Sequence, residues 1–211
     1  IPVLRFTMSS ICALLASLRS ASGTTMSAVS PVRLTITFSK PFASRRSSAA
    51  DSFSVRSAMD TEVLDRVISH MEKYHIQPYD ENTGKGLVRH VLIRYGFFTD
   101  EMMVCLIING EELPGEDALV KSLREIPETV SVMVNVNKKR NNVILGETVR
   151  LLWGKPYITD KIGEISYQIS PLSFFQVNPY QTGRLYGKAL EYADLTSNET
   201  VWDLYCGIGT I

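Results

Sequence analysis

The residues with the clearest chemical potential lie in the last stretch of the sequence, 201–211, which reads VWDLYCGIGTI. An apolar run leads through Asp203 into the pair Gly207 and Gly209. Glycines at the end of a strand let the backbone pass close to a ligand, so this pattern predicts the first strand and turn of a nucleotide- or cofactor-binding α/β domain. By spacing alone, a plain strand-to-helix turn fits equally well. The third glycine of a dinucleotide fingerprint is not present.

The first and last residues suggest a piece of a longer protein. The sequence begins with Ile1 rather than methionine, and it stops at Ile211 within the glycine turn. We therefore expect most of the catalytic domain to follow Ile211, and we expect this chain to be inactive by itself.

Cys206 lies inside the glycine turn and invites a nucleophile interpretation. No neighbouring histidine or lysine in the sequence would lower the pKa of its thiol, so a small packing residue is the better interpretation. The three cysteines are far apart and odd in number, which predicts neither a disulfide framework nor a Cys-x-x-Cys metal site. We expect reduced thiols, a cytoplasmic location and no bound metal.

Two aromatic and two amide side chains stand together at Phe174, Phe175, Gln176 and Asn178. An aromatic ring can stack on an unstacked base, and an amide can bind a base edge or a polar group of a cofactor. The simpler alternative is that the aromatic residues belong to the core and that Asn178 caps a helix. Both interpretations remain open from the residues alone.

Basic side chains at Arg89, His90, Arg94 and in the turn 138–140 are candidates for phosphate contacts, although a basic turn is usually a solvated loop. The formal net charge of the 211 residues is zero. Residues 1–57 hold 7 basic side chains and 1 acidic one, which leaves 15 basic and 21 acidic side chains for 58–211. Nucleic-acid binding therefore requires a local basic patch.

Residues 1–57 differ in composition from the rest of the sequence. Serine occupies 14 of the 57 positions, and no helical or strand periodicity persists. A secretory signal around the apolar run 11–18 and an organelle transit peptide are both possible. Because each leaves about 30 further residues without a fold, we favour an irregular segment that is disordered or not native coding sequence. The run 11–18 is too short to cross a bilayer, and we expect no membrane association.

Residues 58–170 have the pattern of a folded α+β domain. Asp60 is a candidate cap for a helix with an apolar stripe that ends near Tyr74. Strands are predicted at 87–95, 102–108, 130–136, 149–153 and 165–169, with a helix at 114–125. The strict alternation in 130–136 predicts a half-buried strand with one polar face, and the turn 138–142 should lead straight into the next strand. The order predicts a mostly antiparallel sheet.

Residues 171–211 are expected to open a second domain, the start of a Rossmann-like α/β fold. Asn178 is a predicted N-cap with Pro179 at the first helical position, and the helix should run to about Ala193. Gly183 and Gly187 each cost the helix roughly 1 kcal/mol relative to alanine. We therefore expect that face to pack closely against a backbone or a ligand, before a strand at 201–204.

Taken together, the segment FFQVNP at 174–179, a helix and the segment DLYCGIGT at 203–210 resemble the RNA (uracil-5-)-methyltransferase family. The chain is most similar to the bacterial members that act on 23S ribosomal RNA. The segment GLVRHVLIR at 86–94 also resembles their central domain, and the match covers about 58–211. Residues 1–57 show neither the RNA-binding β-barrel nor the four-cysteine iron–sulfur motif that many family members have there.

The resemblance implies S-adenosylmethionine as the cofactor, bound by Gln176, Tyr205, Gly207 and Thr210, and a target uracil near Phe174. In the family, a cysteine thiolate attacks C6 of the flipped uracil, because C5 is a poor nucleophile until a thiolate has added at C6. That cysteine and the glutamate base lie beyond Ile211 by this resemblance, so no catalytic residue is assigned and Cys206 does not take the role. The implied protein is a cytoplasmic monomer that binds 23S ribosomal RNA.

Two other functions compete with this one. The first is a non-catalytic RNA-binding module in which the glycine turn is only a turn. The second is a small-molecule methyltransferase or nucleotide-dependent enzyme, against which the element Phe174-x-Gln176-x-Asn178 argues. A Pro-Cys nucleophile motif and a later glutamate in the continuing sequence would separate an enzyme from a module.

Overall fold

The computed structural model describes residues 6–7, 33–34, 48–196, 198–204 and 206–210, with side chains from residue 58 onward. The described helices are α1 (Ser48–Lys73), α2 (Glu116–Leu123) and α3 (Pro179–Ala193). The described strands are β1 (Phe6–Thr7), β2 (Arg33–Leu34), β3 (Val88–Tyr95), β4 (Met102–Ile108), β5 (Thr129–Val136), β6 (Thr148–Gly154), β7 (Ile158–Ile162) and β8 (Ile165–Ile169). The predicted irregular segment 1–57 is wrong at 48–57, because these residues are helical in α1. Apart from the short antiparallel pair β1 and β2, the rest of that prediction lies outside the described residues.

A four-stranded sheet in the order β3-β4-β5-β6 forms the centre of the molecule. The pairs β3–β4 and β5–β6 are antiparallel, whereas β4–β5 is parallel and is connected through α2. A parallel pair needs such a crossover, while antiparallel neighbours need only a short turn. The predicted α+β fold with a mostly antiparallel sheet is therefore confirmed for this part of the chain. Strands β7 and β8 form a separate antiparallel hairpin.

The two faces of the sheet are both buried, and β4 shows it most clearly because all seven of its residues are buried. Val104 and Leu106 face helices α1 and α2, where Val63 and Leu119 pack against them. The other face carries a second set of buried residues, which we call the hairpin-side cluster. It comprises Leu92, Met103, Cys105, Ile107, Met133, Ile158, Tyr167 and Ile169. Period-two alternation in the strands sorts the residues between these layers.

The polar residues of β5 are buried, so the predicted solvent-facing polar side of this strand is wrong. Ser131 and Asn135 are both 0% exposed, because the hairpin-side cluster covers that face. The Asn135 amide donates to the carbonyl oxygens of Gly146 and Thr148 at 2.9 and 3.1 Å, and its oxygen accepts from the amide of Gly146. Asn135 therefore fixes the loop before β6, which begins only at Thr148 and not directly after the basic turn.

Helix α1 begins at Ser48, so Asp60 lies inside the helix and the predicted cap is wrong. Residues 48–59 contain no glycine or proline that would stop a helix upstream of Asp60. The strand β7 was not predicted, because Thr159, Asp160 and Lys161 hide its alternation. In the described part of the chain, no helix is both long enough and apolar enough to cross a membrane.

His70 is buried where α1 meets the segment before α2. Its Nε2 lies 2.9 Å from the carbonyl oxygen of Pro114, so Nε2–H donates, and its ring lies 4.6 Å from the ring of Tyr74. Burial lowers the pKa of the imidazole from its ordinary value of 6.5, against the bond to Pro114 and together with the charge of Lys73. The folded protein therefore holds His70 neutral.

Acidification is expected to destabilise the fold through His70. Between pH 6.5 and the lowered folded pKa, the unfolded chain binds a proton at His70 more readily than the folded chain does, so the free energy of unfolding falls as the pH drops through this window and levels off below it. His70→Gln keeps a side-chain donor and cannot titrate, so it should lose less stability over the same range. Urea unfolding at pH 7.5, 6.5 and 5.5 measures this, with exposed His75→Gln as the control. Equal pH dependence in the wild type and His70→Gln would contradict it.

Candidate functional site

The loop 170–178 leads from β8 to α3 and carries the predicted substrate and cofactor residues. A local turn fixes its start, in which the amide of Ser170 donates to Oγ of Ser173 at 3.0 Å and the amide of Ser173 donates to the carbonyl oxygen of Ser170 at 3.2 Å. Phe174 follows this turn and is 74% exposed. Phe175 points the opposite way, with its ring 6.0 Å from that of Tyr167 in the hairpin-side cluster.

This alternation separates the two aromatic residues by role. Phe175 belongs to the core, as the simpler interpretation of the motif holds, whereas Phe174 is presented to solvent on a fixed backbone. Gln176 is half-buried beside them, so its amide is partly accessible. The arrangement offers one exposed aromatic face and one amide within three residues, which suits recognition of a planar, hydrogen-bonding ligand.

Asn178 is the N-cap of α3, as predicted. Its backbone is extended, with φ of −119°, and its side-chain oxygen accepts from the amide of Gln181 at 3.1 Å. Pro179 occupies the first turn, where a missing amide hydrogen costs nothing. The helix runs to Ala193, also as predicted. The cap holds the end of the loop 170–178, and the turn between Ser170 and Ser173, which we call the serine turn, holds its start.

Replacing the cap is expected to loosen this end of the site. Asn178→Ala should lower the free energy of unfolding by about 1 kcal/mol, the usual effect of losing an N-cap acceptor. Asn178→Asp keeps an acceptor and should stay close to the wild type. Denaturant unfolding of both variants measures the difference. A loss as large in Asn178→Asp as in Asn178→Ala would show that the cap is not the cause.

The glycine turn lies against the same part of the fold. Gly207 and Gly209 have φ of +55° and +75°, values that favour glycine, and the amide of Gly209 donates to the carbonyl oxygen of Cys206 at 2.7 Å. Between them, Ile208 packs against the hairpin-side cluster, as Phe175 does. This shared packing brings the turn and the loop 170–178 to one side of the sheet. A Cβ at either glycine would meet no atom of the described residues within 4 Å.

Thr210 is tied to α3, since its Oγ1 lies 3.1 Å from the Tyr186 hydroxyl. The segments that carry Gln176, Gly207 and Thr210 thus pack on the hairpin-side cluster or on α3. Tyr205, also predicted to bind the cofactor, lies outside the described residues. Cys206 is exposed, whereas Cys105 is buried, and burial raises the pKa of the Cys105 thiol to about 12.

The structure does not bear out two expectations of backbone packing in the last fifty residues. No described backbone packs closely on the face of α3 that carries Gly183 and Gly187, because a Cβ at either position would meet nothing within 4 Å among the described residues, whereas the expected contact with a ligand stays a prediction. Residues 201–204 form no strand, and Trp202 and Leu204 are 80% and 78% exposed. A strand needs a hydrogen-bonded neighbour, and no described strand lies beside this segment.

Two of the arginines considered for phosphate contacts donate to backbone carbonyl oxygens in this structure. Arg89 is buried, donates to Asn137 and Lys139 at 2.7 and 2.9 Å, and lies 4.4 Å from the centre of the Tyr79 ring. Arg94 donates to Pro171 and Ser173. In the basic turn, Lys138 and Lys139 form ion pairs with Glu111 and Glu147.

Sequence reasoning missed that Arg94 supports the loop 170–178, which we call the site loop, since only the fold brings residue 94 next to residues 171 and 173. The serine turn was also missed, although the spacing of Ser170 and Ser173 around Pro171 is a turn signal. In the described residues, no group of three or more histidine, cysteine, aspartate or glutamate side chains could hold a metal ion.

Known proteins resemble this chain over most of its length. No protein-family model matches it. An RNA methyltransferase of Halalkalibacterium halodurans, itself named uncharacterized, is 50% identical over 151 residues, which are 71% of this chain and 33% of the relative. A similarly named protein of Oceanobacillus iheyensis is 46% identical over 151 residues, with the same coverage. The chain thus spans about a third of the length of these relatives.

A solved methyltransferase structure is also similar to this chain. The tRNA (uracil-54, C5)-methyltransferase of Pyrococcus abyssi, in complex with S-adenosyl-L-homocysteine, superposes with a TM-score of 0.58 at 29% sequence identity. The match covers 71% of this chain and 35% of that one. With the fold, the exposed Phe174 loop and the adjacent glycine turn, these similarities show that the chain belongs to the RNA (uracil-5-)-methyltransferase family.

Proposed function

We propose that the full-length protein carrying this chain methylates C5 of a uridine in 23S ribosomal RNA, with S-adenosylmethionine as the methyl donor. The observation that carries the proposal is the exposed Phe174 on a backbone fixed at both ends, beside a glycine turn on the same side of the sheet. A ring presented in this way can stack on a base that has left its helix.

The residues present fit the cofactor. Gly207 and Gly209 adopt positive φ and leave open space where a side chain would lie, so a ligand can approach the backbone closely. The Gln176 amide and the Thr210 hydroxyl supply polar contacts, and we assign Tyr205 to the same site by the family resemblance. When bound, S-adenosylmethionine supplies an electrophilic methyl group on its sulfonium.

The chain's own residues bind and orient in this proposal. Phe174 holds the uracil plane, while Gln176 and the glycine turn hold the cofactor on the neighbouring surface. Binding energy of this kind brings two reactants together and lowers the entropic part of the barrier. We further propose that residues 171–211 open the Rossmann-like methyltransferase domain, and that the protein acts as a cytoplasmic monomer without membrane association.

Alkylation of Cys206 tests the cofactor site. Cys206 is exposed within the turn, so a maleimide should react there, whereas buried Cys105 with its raised pKa is an internal control that should stay unmodified. S-adenosylhomocysteine should slow the labelling of Cys206 in the full-length protein at least about 10-fold when it is present at ten times its dissociation constant. Peptide mass spectrometry measures each site. Unchanged labelling of Cys206 at saturating ligand would place the cofactor elsewhere.

The RNA substrate needs its own test. Full-length protein with methyl-labelled S-adenosylmethionine should modify a 23S ribosomal RNA transcript much faster than a tRNA transcript. The tRNA is the decisive alternative because the Pyrococcus abyssi neighbour is named for it. Faster labelling of tRNA would refute the ribosomal substrate and leave uracil methylation intact. RNA binding without any methyl transfer would favour the non-catalytic module.

A further inference from the structure

Arg94 connects the central sheet to the site loop. It lies in β3 opposite Met103 and two residues after Leu92, both of which belong to the hairpin-side cluster. Its Nη2 donates to the carbonyl oxygen of Pro171 at 3.1 Å and to that of Ser173 at 2.7 Å. One guanidinium nitrogen therefore holds both sides of the serine turn that precedes Phe174.

The charge of Arg94 makes this contact unusual. Among the described residues, no carboxylate forms an ion pair with it, and its buried Nε has no hydrogen-bond partner. Burial lowers the pKa of the guanidinium from its ordinary value. Placing a cation in such surroundings is unfavourable unless strong hydrogen bonds compensate for the lost water. The two carbonyl oxygens are the acceptors that the fold provides.

The position of these acceptors determines what Arg94 can control. Ser173 directly precedes Phe174, and Phe175 is anchored on Tyr167 directly after it. The residues on either side of Phe174 are thus both held in place, Ser173 by Arg94 of β3 and Phe175 by Tyr167 of β8. Loss of the first anchor would free the backbone on one side of Phe174 while leaving the core residue Phe175 in place.

We propose that Arg94 is a positioning residue that sets the orientation of Phe174 and Gln176, and through them the affinity for RNA and cofactor. The part that concerns ligands rests on the proposed function. The part that concerns the loop stands on the contacts alone. Because a small misplacement of binding groups has large effects on affinity and rate, a residue that contacts neither ligand can control both.

Arg89 supplies a matched control on the same strand. It is also buried, and one of its nitrogens also donates to two backbone carbonyl oxygens, those of Asn137 and Lys139. The loop that Arg89 holds contains none of the residues predicted to bind the cofactor or the uracil, and its Lys138 and Lys139 form ion pairs with Glu111 and Glu147. Arg89→Gln should therefore destabilise the protein about as much as Arg94→Gln without the specific effect on the site.

The experiment compares Arg94→Gln, Arg94→Lys and Arg89→Gln in the full-length protein. Arg94→Gln should raise the dissociation constants of a uridine-containing RNA oligonucleotide and of S-adenosylhomocysteine roughly 10- to 100-fold, the effect of losing charge-assisted hydrogen bonds. Arg94→Lys should recover most of the loss, because an ammonium group has three donors on one nitrogen and a single nitrogen makes both bonds. Arg89→Gln should stay within about twofold of the wild type.

Amide hydrogen exchange separates the loop from the ligands. Residues 172–178 should exchange faster in Arg94→Gln and unchanged in Arg89→Gln, whether or not ligand binds. Equal effects of the two glutamine variants on the dissociation constants, or unchanged exchange of 172–178 in Arg94→Gln, would overturn the positioning role. If the wild type binds neither RNA nor S-adenosylhomocysteine, the proposed function fails, and the exchange data alone decide whether Arg94 holds the loop.

Discussion

Replacing Asp160 by alanine is expected to lower the free energy of unfolding by about 3 kcal/mol, since the change removes two charge-assisted hydrogen bonds at a buried site. Asp160 is 3% exposed, and its two carboxylate oxygens accept from the amides of Phe97 and Phe98, each at 2.9 Å. Through these bonds, β7 holds the turn between β3 and β4. Without the carboxylate, two backbone amides at the turn lose their acceptors.

Equilibrium urea unfolding measures this effect. Asp160→Asn should fall between the wild type and Asp160→Ala, because an amide oxygen keeps one acceptor. Asp65→Ala is the matched control, since Asp65 is exposed on α1, and it should change stability by no more than about 0.5 kcal/mol. A loss below about 1 kcal/mol in Asp160→Ala would show that the turn finds other acceptors.

Replacing Phe174 by alanine is expected to weaken RNA binding by the full-length protein roughly 10- to 100-fold, the usual effect of losing one base-stacking ring. The ring is 74% exposed, so its removal should leave the free energy of unfolding within about 0.5 kcal/mol of the wild type. The combination of a large binding effect with a negligible stability effect distinguishes a ligand contact from a core residue.

Phe174→Tyr should bind RNA nearly as the wild type does, because it retains the ring. Phe98→Ala is the control for an exposed aromatic residue outside the site, since Phe98 is 51% exposed on the β3–β4 turn. Fluorescence anisotropy with a labelled uridine-rich oligonucleotide measures all three variants. Equal losses in Phe174→Ala and Phe98→Ala would remove the special role of Phe174.

The elements with strong local patterns could be predicted from the sequence. The strand at 102–108 was predicted with the observed bounds, because seven apolar residues lie between clear turn signals. The helix 179–193 was also predicted with the observed bounds, from the cap at Asn178 and the following Pro179. In both cases the local residues alone determine the outcome.

Burial and long-range contacts could not be predicted in this way. Asn135 looked solvent-facing because its alternation with valine gives no information about what covers the second face of a sheet. Asp160 and Arg94 each bind backbone groups more than 60 residues away in sequence. The strand expected at 201–204 failed for the same reason, since a strand depends on a neighbour that local sequence cannot specify.

The family resemblance predicted the site residues, and the structure added how Phe174 and Gln176 are held. Phe174 and Gln176 were chosen for their chemistry, while the serine turn, the Asn178 cap and the Arg94 contact explain why that chemistry is presented outward. Supporting residues such as Arg94 have no sequence motif of their own, because they hold the backbone of the loop and many residue types can do so.

Release of tritium from C5 of uridine tests the central claim most directly. Methylation at C5 replaces the hydrogen there, so RNA labelled with tritium at uridine C5 should lose one tritium for each methyl group transferred by the full-length protein. The account predicts equal release and transfer, both dependent on S-adenosylmethionine and both reduced by Phe174→Ala. Methyl transfer without tritium release, or RNA binding with neither, would contradict it.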